Sequence, residues 1–138
     1  MNVIQRIVKW NKERNLTNYD QIREGSFIME ELLEYFGTDK QSYKEGISKE
    51  GIRKACREEC QDLIEYGIPT TTEEQADALG DIIFFAVGAL YKLNLNHGTP
   101  LPEEVLKRII DANETKGSET NAEGKIIKDS TFIEPDHS

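Results

Sequence analysis

The stretch Thr71–Leu93, TTEEQADALGDIIFFAVGALYKL, decides the fold. It predicts one long helix that is apolar on nearly every face after Asp81, and such a helix belongs in the interior of a bundle. Yet Glu74, Asp77 and Asp81 lie at its start, three and four residues apart, which places them on one face. Acidic side chains are rarely buried unless they are paired or bind a metal. The stretch therefore predicts a helical bundle that holds a partner for these acids.

Composition narrows the class of protein. The 138 residues predict one domain with a modest core, and the 37% hydrophobic content is low enough to favour burial against further copies, as a homodimer or homotetramer. The formal net charge of −9, from 26 acids and 17 bases, argues against a nucleic-acid partner because no basic tract could neutralise a phosphate backbone.

The sequence also bears on location. Cys56 and Cys60 are one helical turn apart, which disfavours a disulfide, and the two histidines complete no zinc site with them. The apolar run Ile82–Leu90 is too short to cross a bilayer. These features predict a cytoplasmic protein with reduced thiols, no signal peptide and no membrane partner.

Hydrophobic periodicity and capping residues predict an all-α bundle of about five helices. Besides the long helix, helices are expected at about residues 2–14, 19–36, 49–66 and 102–112, with a loop at 38–48. The polar stretch after Asn113 predicts a short irregular tail with a small hairpin. The expected organisation is a helical domain at 1–112 and a tail of the same domain at 113–138, whose core is completed by oligomerisation.

A second acid pair lies on the second predicted helix. Glu31 and Glu34 fall inside the arc of its apolar residues, whereas Glu30 lies to one side. That arc is formed by Phe27, Ile28, Leu32 and Tyr35, which are predicted to face the core. A lone Glu-x-x-Glu on a helix is usually a solvated face, but here two pairs lie on apolar faces. The two pairs together predict a metal site.

Four carboxylates around one small volume would repel each other without a cation. Mg²⁺, with Mn²⁺ as the alternative, is a hard cation that takes oxygen ligands, and it can polarise a phosphoryl oxygen and activate a water. Capping alone can explain Glu74, through a box of Thr70 with Glu73 or of Thr71 with Glu74. A di-iron bundle would need Glu-x-x-His pairs, which this chain lacks.

The order of these motifs resembles the MazG-type all-α nucleoside triphosphate pyrophosphohydrolases, a superfamily that includes dimeric dUTPases and phosphoribosyl-ATP pyrophosphohydrolase. The resemblance covers almost the whole chain, although each motif alone is short. It rests on Glu31-Leu-Leu-Glu34, Glu74-Gln-Ala-Asp77-Ala-Leu-Gly-Asp81, Trp10-Asn-Lys-Glu-Arg14, Asn113-Glu-Thr-Lys116, Gly124-Lys125-Ile-Ile-Lys128, Phe132 and Pro135-Asp136.

The resemblance implies a helical bundle that dimerises or forms a larger assembly. It also implies Mg²⁺-dependent cleavage of a (deoxy)nucleoside triphosphate between the α and β phosphates, giving a monophosphate and pyrophosphate. Glu31, Glu34 and Asp81 are then metal ligands, with Asp77 or Glu74 as the fourth carboxylate. The usual second motif is Glu-x-x-Asp, but Ala78 stands three residues before Asp81. The second pair is therefore either Glu74 with Asp77 or Asp77 with Asp81.

Substrate contacts are expected from the ends of the chain. The side chains of Asn113 and Lys116 leave the last helix within about one turn of its end, and Lys125 follows in the tail. They are predicted to bind the phosphates or the sugar, because a triphosphate held by a metal still has oxygens that need cationic or amide donors. Trp10 could stack on a base, although an aromatic side chain near a helix end usually belongs to the core.

Two hypotheses from other classes accompany the enzyme. One is a non-catalytic helical protein that retains the fold and binds a nucleotide or another partner, which the Ala78 departure favours. The other is a structural helical module whose acids are incidental. An Mg²⁺ titration of the melting temperature separates the incidental case from the others, because only a real site stabilises the fold by mass action. Turnover then separates the enzyme from the binding protein.

Overall fold

A computed structural model describes residues 1–38, 40 and 44–138 and confirms the all-α fold. Its described residues include five helices and no strand. The helices are α1 (Val3–Glu13), α2 (Gln21–Phe36), α3 (Lys49–Tyr66), α4 (Thr72–His97) and α5 (Pro102–Glu114). The predicted loop at 38–48 includes Asp39, Gln41, Ser42 and Tyr43, which lie outside the described residues; Thr38, Lys40 and Lys44 within it are helical.

Capping residues explain where the helices begin and end. Ser48 caps α3 by accepting from Gly51 N, and Thr71 and Glu74 form a reciprocal capping box at the start of α4. Gly37 and Gly98 follow α2 and α4 in the left-handed conformation, which glycine adopts without steric cost. α4 therefore runs four residues beyond the predicted Leu93.

The described residues form two compact units, Met1–Thr17 with Thr70–Ser138 and Asn18–Pro69. In the second unit, α2 packs against α3. Ile52, Cys56 and Cys60 of α3 are buried, and Ser26 of α2 is 2% exposed. Gly25 lies in this contact, and a Cβ atom there would meet the Cys60 Sγ atom at 3.5 Å, an ordinary van der Waals distance.

The face of α2 that packs against α3 differs from the predicted one. Glu30, expected to lie to one side, faces α3, and its Oε1 atom accepts a hydrogen bond from Arg53 Nε at 3.2 Å. Leu32 and Tyr35, expected to face the core, are 53% and 71% exposed. The prediction was wrong at these positions because periodicity locates an apolar stripe but does not show which neighbour covers it.

The first unit contains α1, α4, α5 and the C-terminal tail. α1 packs on α5 through Arg6, whose Nη2 atom lies 2.8 Å from Asp111 Oδ1 and 2.9 Å from Glu114 Oε1. α5 contributes the buried residues Val105, Ile110 and Ala112. The first unit thus has its core on α5.

The tail is folded onto α5. Asn121 N donates to Lys125 O at 2.8 Å, and Thr120 and Ile126 form an isolated antiparallel bridge, which gives the expected small hairpin turn. Ile126 is only 6% exposed. Further on, the Thr131 hydroxyl donates to Thr115 O at 2.8 Å. The division into a domain at 1–112 and a tail stays a prediction, and the tail is an ordered part of the first unit.

α4 has a property that the apolar run Ile82–Leu90 alone did not show. Over its full length, Thr72–His97, α4 is long and apolar enough to cross a membrane by length and composition, with a window of mean hydropathy 1.5. None of that window is buried within the chain. A core helix of a soluble protein passes the same test of length and composition, although it is mostly buried. Cytoplasmic location and the absence of a membrane partner therefore stay predictions.

Candidate functional site

The first acid pair, Glu31 and Glu34, lies on the side of α2 that α3 leaves uncovered. Both residues are exposed, and so are their apolar neighbours Leu32, Tyr35 and Phe36. The rings of Tyr35 and Phe36 contact each other edge to face, with centroids 5.0 Å apart. The acids therefore do lie on an apolar face, as predicted, but within the second unit this face is open.

The second acid pair, Asp77 and Asp81, has the same setting in the first unit. Both residues are exposed on α4 next to Phe84 and Phe85, which are 74% and 71% exposed. No described residue offers a hydrogen bond or an ion pair to the carboxylates of Asp77 and Asp81 at the distances of a direct contact. Among the described residues, these two carboxylates therefore have no direct hydrogen-bonding or ionic partner.

Glu74 has a structural role within α4. Its Oε1 atom accepts a hydrogen bond from Thr71 N at 3.2 Å, while Glu74 N donates to the Thr71 hydroxyl at 3.1 Å. Of the two capping boxes that the sequence allows, the structure therefore has Thr71 with Glu74. This favours Asp77 with Asp81 as the second acid pair, and a metal role for Glu74 stays a prediction.

The two pairs of carboxylates supply part of the coordination shell that Mg²⁺ requires. Mg²⁺ takes oxygen ligands and is bound in proteins through one or two carboxylates together with water and substrate phosphates. Each of the two pairs offers two carboxylates one helical turn apart, which fits part of such a shell. Among the described residues no group of three or more acid, histidine or cysteine side chains could hold a metal ion. Within the described residues, each unit thus presents one pair of carboxylates and no larger cluster of possible ligands.

The predicted substrate residues lie in the first unit, and three of them come together. Trp10 Nε1 donates to Asn113 O at 3.0 Å. Arg14 donates to Lys116 O at 3.0 Å and to Gly117 O at 3.2 Å. The segment Trp10–Arg14 therefore holds the end of α5, so the two motifs from opposite ends of the chain form one structural feature.

The environment of Trp10 limits its predicted role as a stacking platform. The Arg14 guanidinium lies 4.5 Å from the ring centroid, which is a cation–π contact, and the indole N–H is already used. The same ring lines a pocket of about 250 Å³ together with Arg6 and Lys9. Trp10 is thus mainly a packing residue of the first unit, and its contact with a base stays a prediction.

Two lysines of the first unit share one aromatic ring. The Lys116 and Lys128 Nζ atoms lie 5.2 and 5.1 Å from the centroid of Phe132. Lys128 also pairs with Glu134, at 3.4 Å between Nζ and Oε1. Lys125 lies in the hairpin turn, where its backbone N–H donates to Asn121 Oδ1 at 3.0 Å. The tail therefore gathers cationic side chains around Phe132.

Sequence reasoning missed Arg14, Phe132 and Arg53 as organising residues. Arg14 and Phe132 stand inside the motifs that carry the resemblance, which was the available signal. Arg53 lies 23 residues from Glu30, and no local pattern connects two such positions.

The two thiols of α3 provide a test of the second unit. Burial raises the pKa of both Cys56 and Cys60, since a thiolate loses its hydration there. At pH 8.5 we expect iodoacetamide to alkylate both thiols at least about tenfold more slowly in the folded protein than in urea, because the thiolate is the nucleophile.

The raised pKa of the two thiols also makes the stability of the fold depend on pH. The thiol form is favoured by folding, so this stabilisation is complete below the ordinary cysteine pKa of 9.0 and is lost as the pH rises from there through the raised value. Mass spectrometry after timed alkylation measures the protection. Equal alkylation rates with and without urea would contradict the buried packing of α2 on α3.

Comparison of the chain with protein families, with curated proteins and with solved structures found no match.

Proposed function

We propose that this protein is an Mg²⁺-dependent nucleotide pyrophosphohydrolase that cleaves a nucleoside triphosphate between the α and β phosphates. Glu31, Glu34, Asp77 and Asp81 are its metal ligands in this proposal. A bound Mg²⁺ would neutralise phosphate charge and polarise the phosphoryl oxygen that is attacked. The proposal rests on the order of motifs that the chain shares with MazG-type enzymes.

One structural observation supports it. Each unit has one helix whose open apolar face carries a pair of acids, and these are the acids that the motifs single out. If an apolar face is covered, an acid on it loses its hydration at a cost of several kcal/mol, on the order of the penalty for any buried ion, unless it is paired or binds a cation. A bound cation would remove this conflict for either pair.

The other residues have roles in binding. Lys116, beside Phe132, and Lys125, in the hairpin turn, are suited to phosphate oxygens, since charge-assisted hydrogen bonds from lysine are strong. Asn113, at the end of α5, is suited to the sugar or the phosphates. None of these residues is a covalent nucleophile, so water is the attacking group in the proposed hydrolysis.

The test is a panel of ribo- and deoxyribonucleoside triphosphates, each incubated with the full chain and Mg²⁺. We expect nucleoside monophosphate and pyrophosphate as products, and no turnover after EDTA is added. Inorganic pyrophosphatase in a parallel sample should convert the pyrophosphate into two equivalents of orthophosphate, which identifies the cleaved bond.

Other outcomes point to other functions. Direct release of orthophosphate and a diphosphate would overturn the proposed bond. Mg²⁺-dependent nucleotide binding without turnover would support the non-catalytic nucleotide-binding protein. Neither binding nor turnover with any triphosphate would leave the acids as incidental features of a helical module.

A further inference from the structure

The three backbone carbonyl groups that follow α5 are all held by side chains. The carbonyl of Thr115 accepts a hydrogen bond from the Thr131 hydroxyl at 2.8 Å. The next two carbonyls, of Lys116 and Gly117, accept from Arg14 Nη2 at 3.0 Å and from Arg14 Nε at 3.2 Å. Backbone carbonyls beyond a helix end have no partner in the helix, so these donors decide the course of the chain. Arg14 therefore fixes the backbone of Lys116 and Gly117.

The backbone of Arg14 is itself fixed by the way in which α1 ends. Arg14 is the C-terminal cap of α1, and Asn15 follows it in the left-handed conformation with a φ of 55°. Asn15 N donates to Lys12 O at 3.2 Å, and Leu16 N donates to Asn11 O at 2.9 Å. These two hydrogen bonds form a Schellman motif, which gives the end of a helix a defined geometry. The backbone of Arg14 therefore belongs to a closed, hydrogen-bonded turn.

The side chain of Arg14 is held as well. Its guanidinium lies 4.5 Å from the centroid of the Trp10 ring, and its Nη1 atom donates to Trp10 O at 3.3 Å. A guanidinium is planar and carries five N–H donors in a fixed fork, so it can stack on a ring and bind several carbonyls at once. Lysine keeps the charge but has no such fork. Trp10 and Arg14 therefore form an ordered pair at the end of α1.

This pair holds both ends of the segment from Asn113 to Lys116. Trp10 Nε1 donates to the carbonyl of Asn113 at 3.0 Å, and Arg14 donates to the carbonyl of Lys116. The side chains of Asn113 and Lys116 are the ones assigned to the phosphates or the sugar. A binding group is held in place only as well as the backbone that carries it. The contacts from α1 therefore bear directly on where these two side chains lie.

We propose that Arg14 is a positioning residue for substrate binding, which orients the ammonium group of Lys116 toward the phosphates by holding the carbonyls of Lys116 and Gly117. This inference rests on the proposed function. Arg14 acts without touching the substrate, because each of its three side-chain nitrogen atoms donates to a carbonyl of the chain. Its contribution is preorganisation, since a lysine whose backbone is already fixed loses less freedom on binding. Arg14 thus lowers KM and has little effect on kcat.

The test compares Arg14→Lys with Arg6→Lys in the full chain. Arg6 also joins α1 to α5, but it binds the carboxylates of Asp111 and Glu114 instead of backbone carbonyls. An ammonium group can still pair with a carboxylate, whereas it cannot replace the fork of Arg14. We expect Arg14→Lys to raise KM at least about fivefold with kcat changed less than about twofold, and Arg6→Lys to leave both within about twofold.

A double-mutant cycle separates positioning from a general loss of stability. If Arg14 acts through Lys116, adding Arg14→Lys to Lys116→Met should raise KM by less than about twofold, because the ammonium group that Arg14 orients is already absent. A change that only weakened the fold would have the same effect in either background. Circular dichroism verifies that each variant is helical. Trp10 is the only tryptophan, so its fluorescence reports the packing beside residue 14 in each variant.

The positioning role and the proposed function fail in different ways. If the wild type is active, the role of Arg14 is overturned by an unchanged KM of Arg14→Lys, by equal effects of the two arginine variants, or by additive effects of Arg14→Lys and Lys116→Met. If the wild type hydrolyses no triphosphate, the proposed function falls. Calorimetric titration with an α,β-methylene nucleoside triphosphate and Mg²⁺ then decides about Arg14. Weaker binding by Arg14→Lys than by Arg6→Lys would support its role, whereas equal binding or none would overturn it.

Discussion

Replacing Asp81 by Asn should abolish triphosphate hydrolysis while the protein stays folded. Asparagine keeps the shape of the side chain but removes the negative charge that would bind the cation. A metal ligand that supplies about 4 kcal/mol of transition-state stabilisation corresponds to a loss of roughly 10³-fold in kcat/KM. Asp81 is exposed on α4, so we expect the melting temperature without metal to stay the same or to rise slightly, as repulsion from Asp77 falls.

The control for this variant is Asp62→Asn. Asp62 is also an exposed aspartate on a helix, and the sequence assigns it to the surface because it lies away from the apolar stripe of α3. Its replacement should leave kcat/KM within about twofold of the wild-type value, as surface substitutions have small effects. Pyrophosphate release is measured at saturating Mg²⁺ and at a protein concentration where sedimentation shows the same assembly for all three proteins. Wild-type turnover by Asp81→Asn would remove Asp81 from the metal site.

Local signals predicted the elements of this fold well. The capping box at Thr71 and Glu74, the Ser48 cap and the stop at Gly37 each act within a few residues, so the printed sequence contains all that determines them. The start of α2 was less well predicted. It was expected at about residue 19, but α2 begins at Gln21, because the Asp20 side chain caps it by accepting from Arg23 N.

Contacts between distant segments could not be predicted in the same way. The pairing of Glu30 with Arg53 turns α2 so that Glu30, and not the predicted arc, faces α3. The apolar stripe of α1 behaves similarly, since Ile4 and Val8 are 56% and 47% exposed while Arg6 and Trp10 make the contacts with α5. An apolar stripe indicates that a helix face packs against another element. Which element that is depends on the rest of the chain or on a second copy.

In the candidate site, too, local features were predicted from the sequence and contacts between distant segments were not. The spacing of Glu31 with Glu34 and of Asp77 with Asp81 was sufficient to place each pair on one helix face. The association of Trp10 with Asn113 was not predicted, because their motifs stand at opposite ends of the chain. The structure joins them through a hydrogen bond that depends on how α1 packs on α5.

Replacing Lys116 by Met should raise KM for the triphosphate by about 10- to 100-fold while kcat changes less than about threefold. The estimate follows from about 1.5–3 kcal/mol for a hydrogen bond to a charged group. The tail gives this lysine a defined position. Its carbonyl accepts from Arg14, its Nζ atom lies 5.2 Å from the Phe132 ring centroid, and Thr115 and Thr131 link α5 to the tail beside it.

Lys128→Met is the matched control, because Lys128 lies 5.1 Å from the same ring but stands outside the Asn113–Lys116 motif that is assigned to the substrate. It should raise KM less than about threefold. Lys116→Arg, which keeps the charge, should recover most of the binding. Point variants are preferable to deletion of the tail, because deletion would remove the buried Ile126 and the carbonyl acceptors of Arg14. If Lys116→Met keeps the wild-type KM and Lys128→Met does not, the cationic contact to the phosphates belongs to Lys128 and the role assigned to Lys116 is wrong.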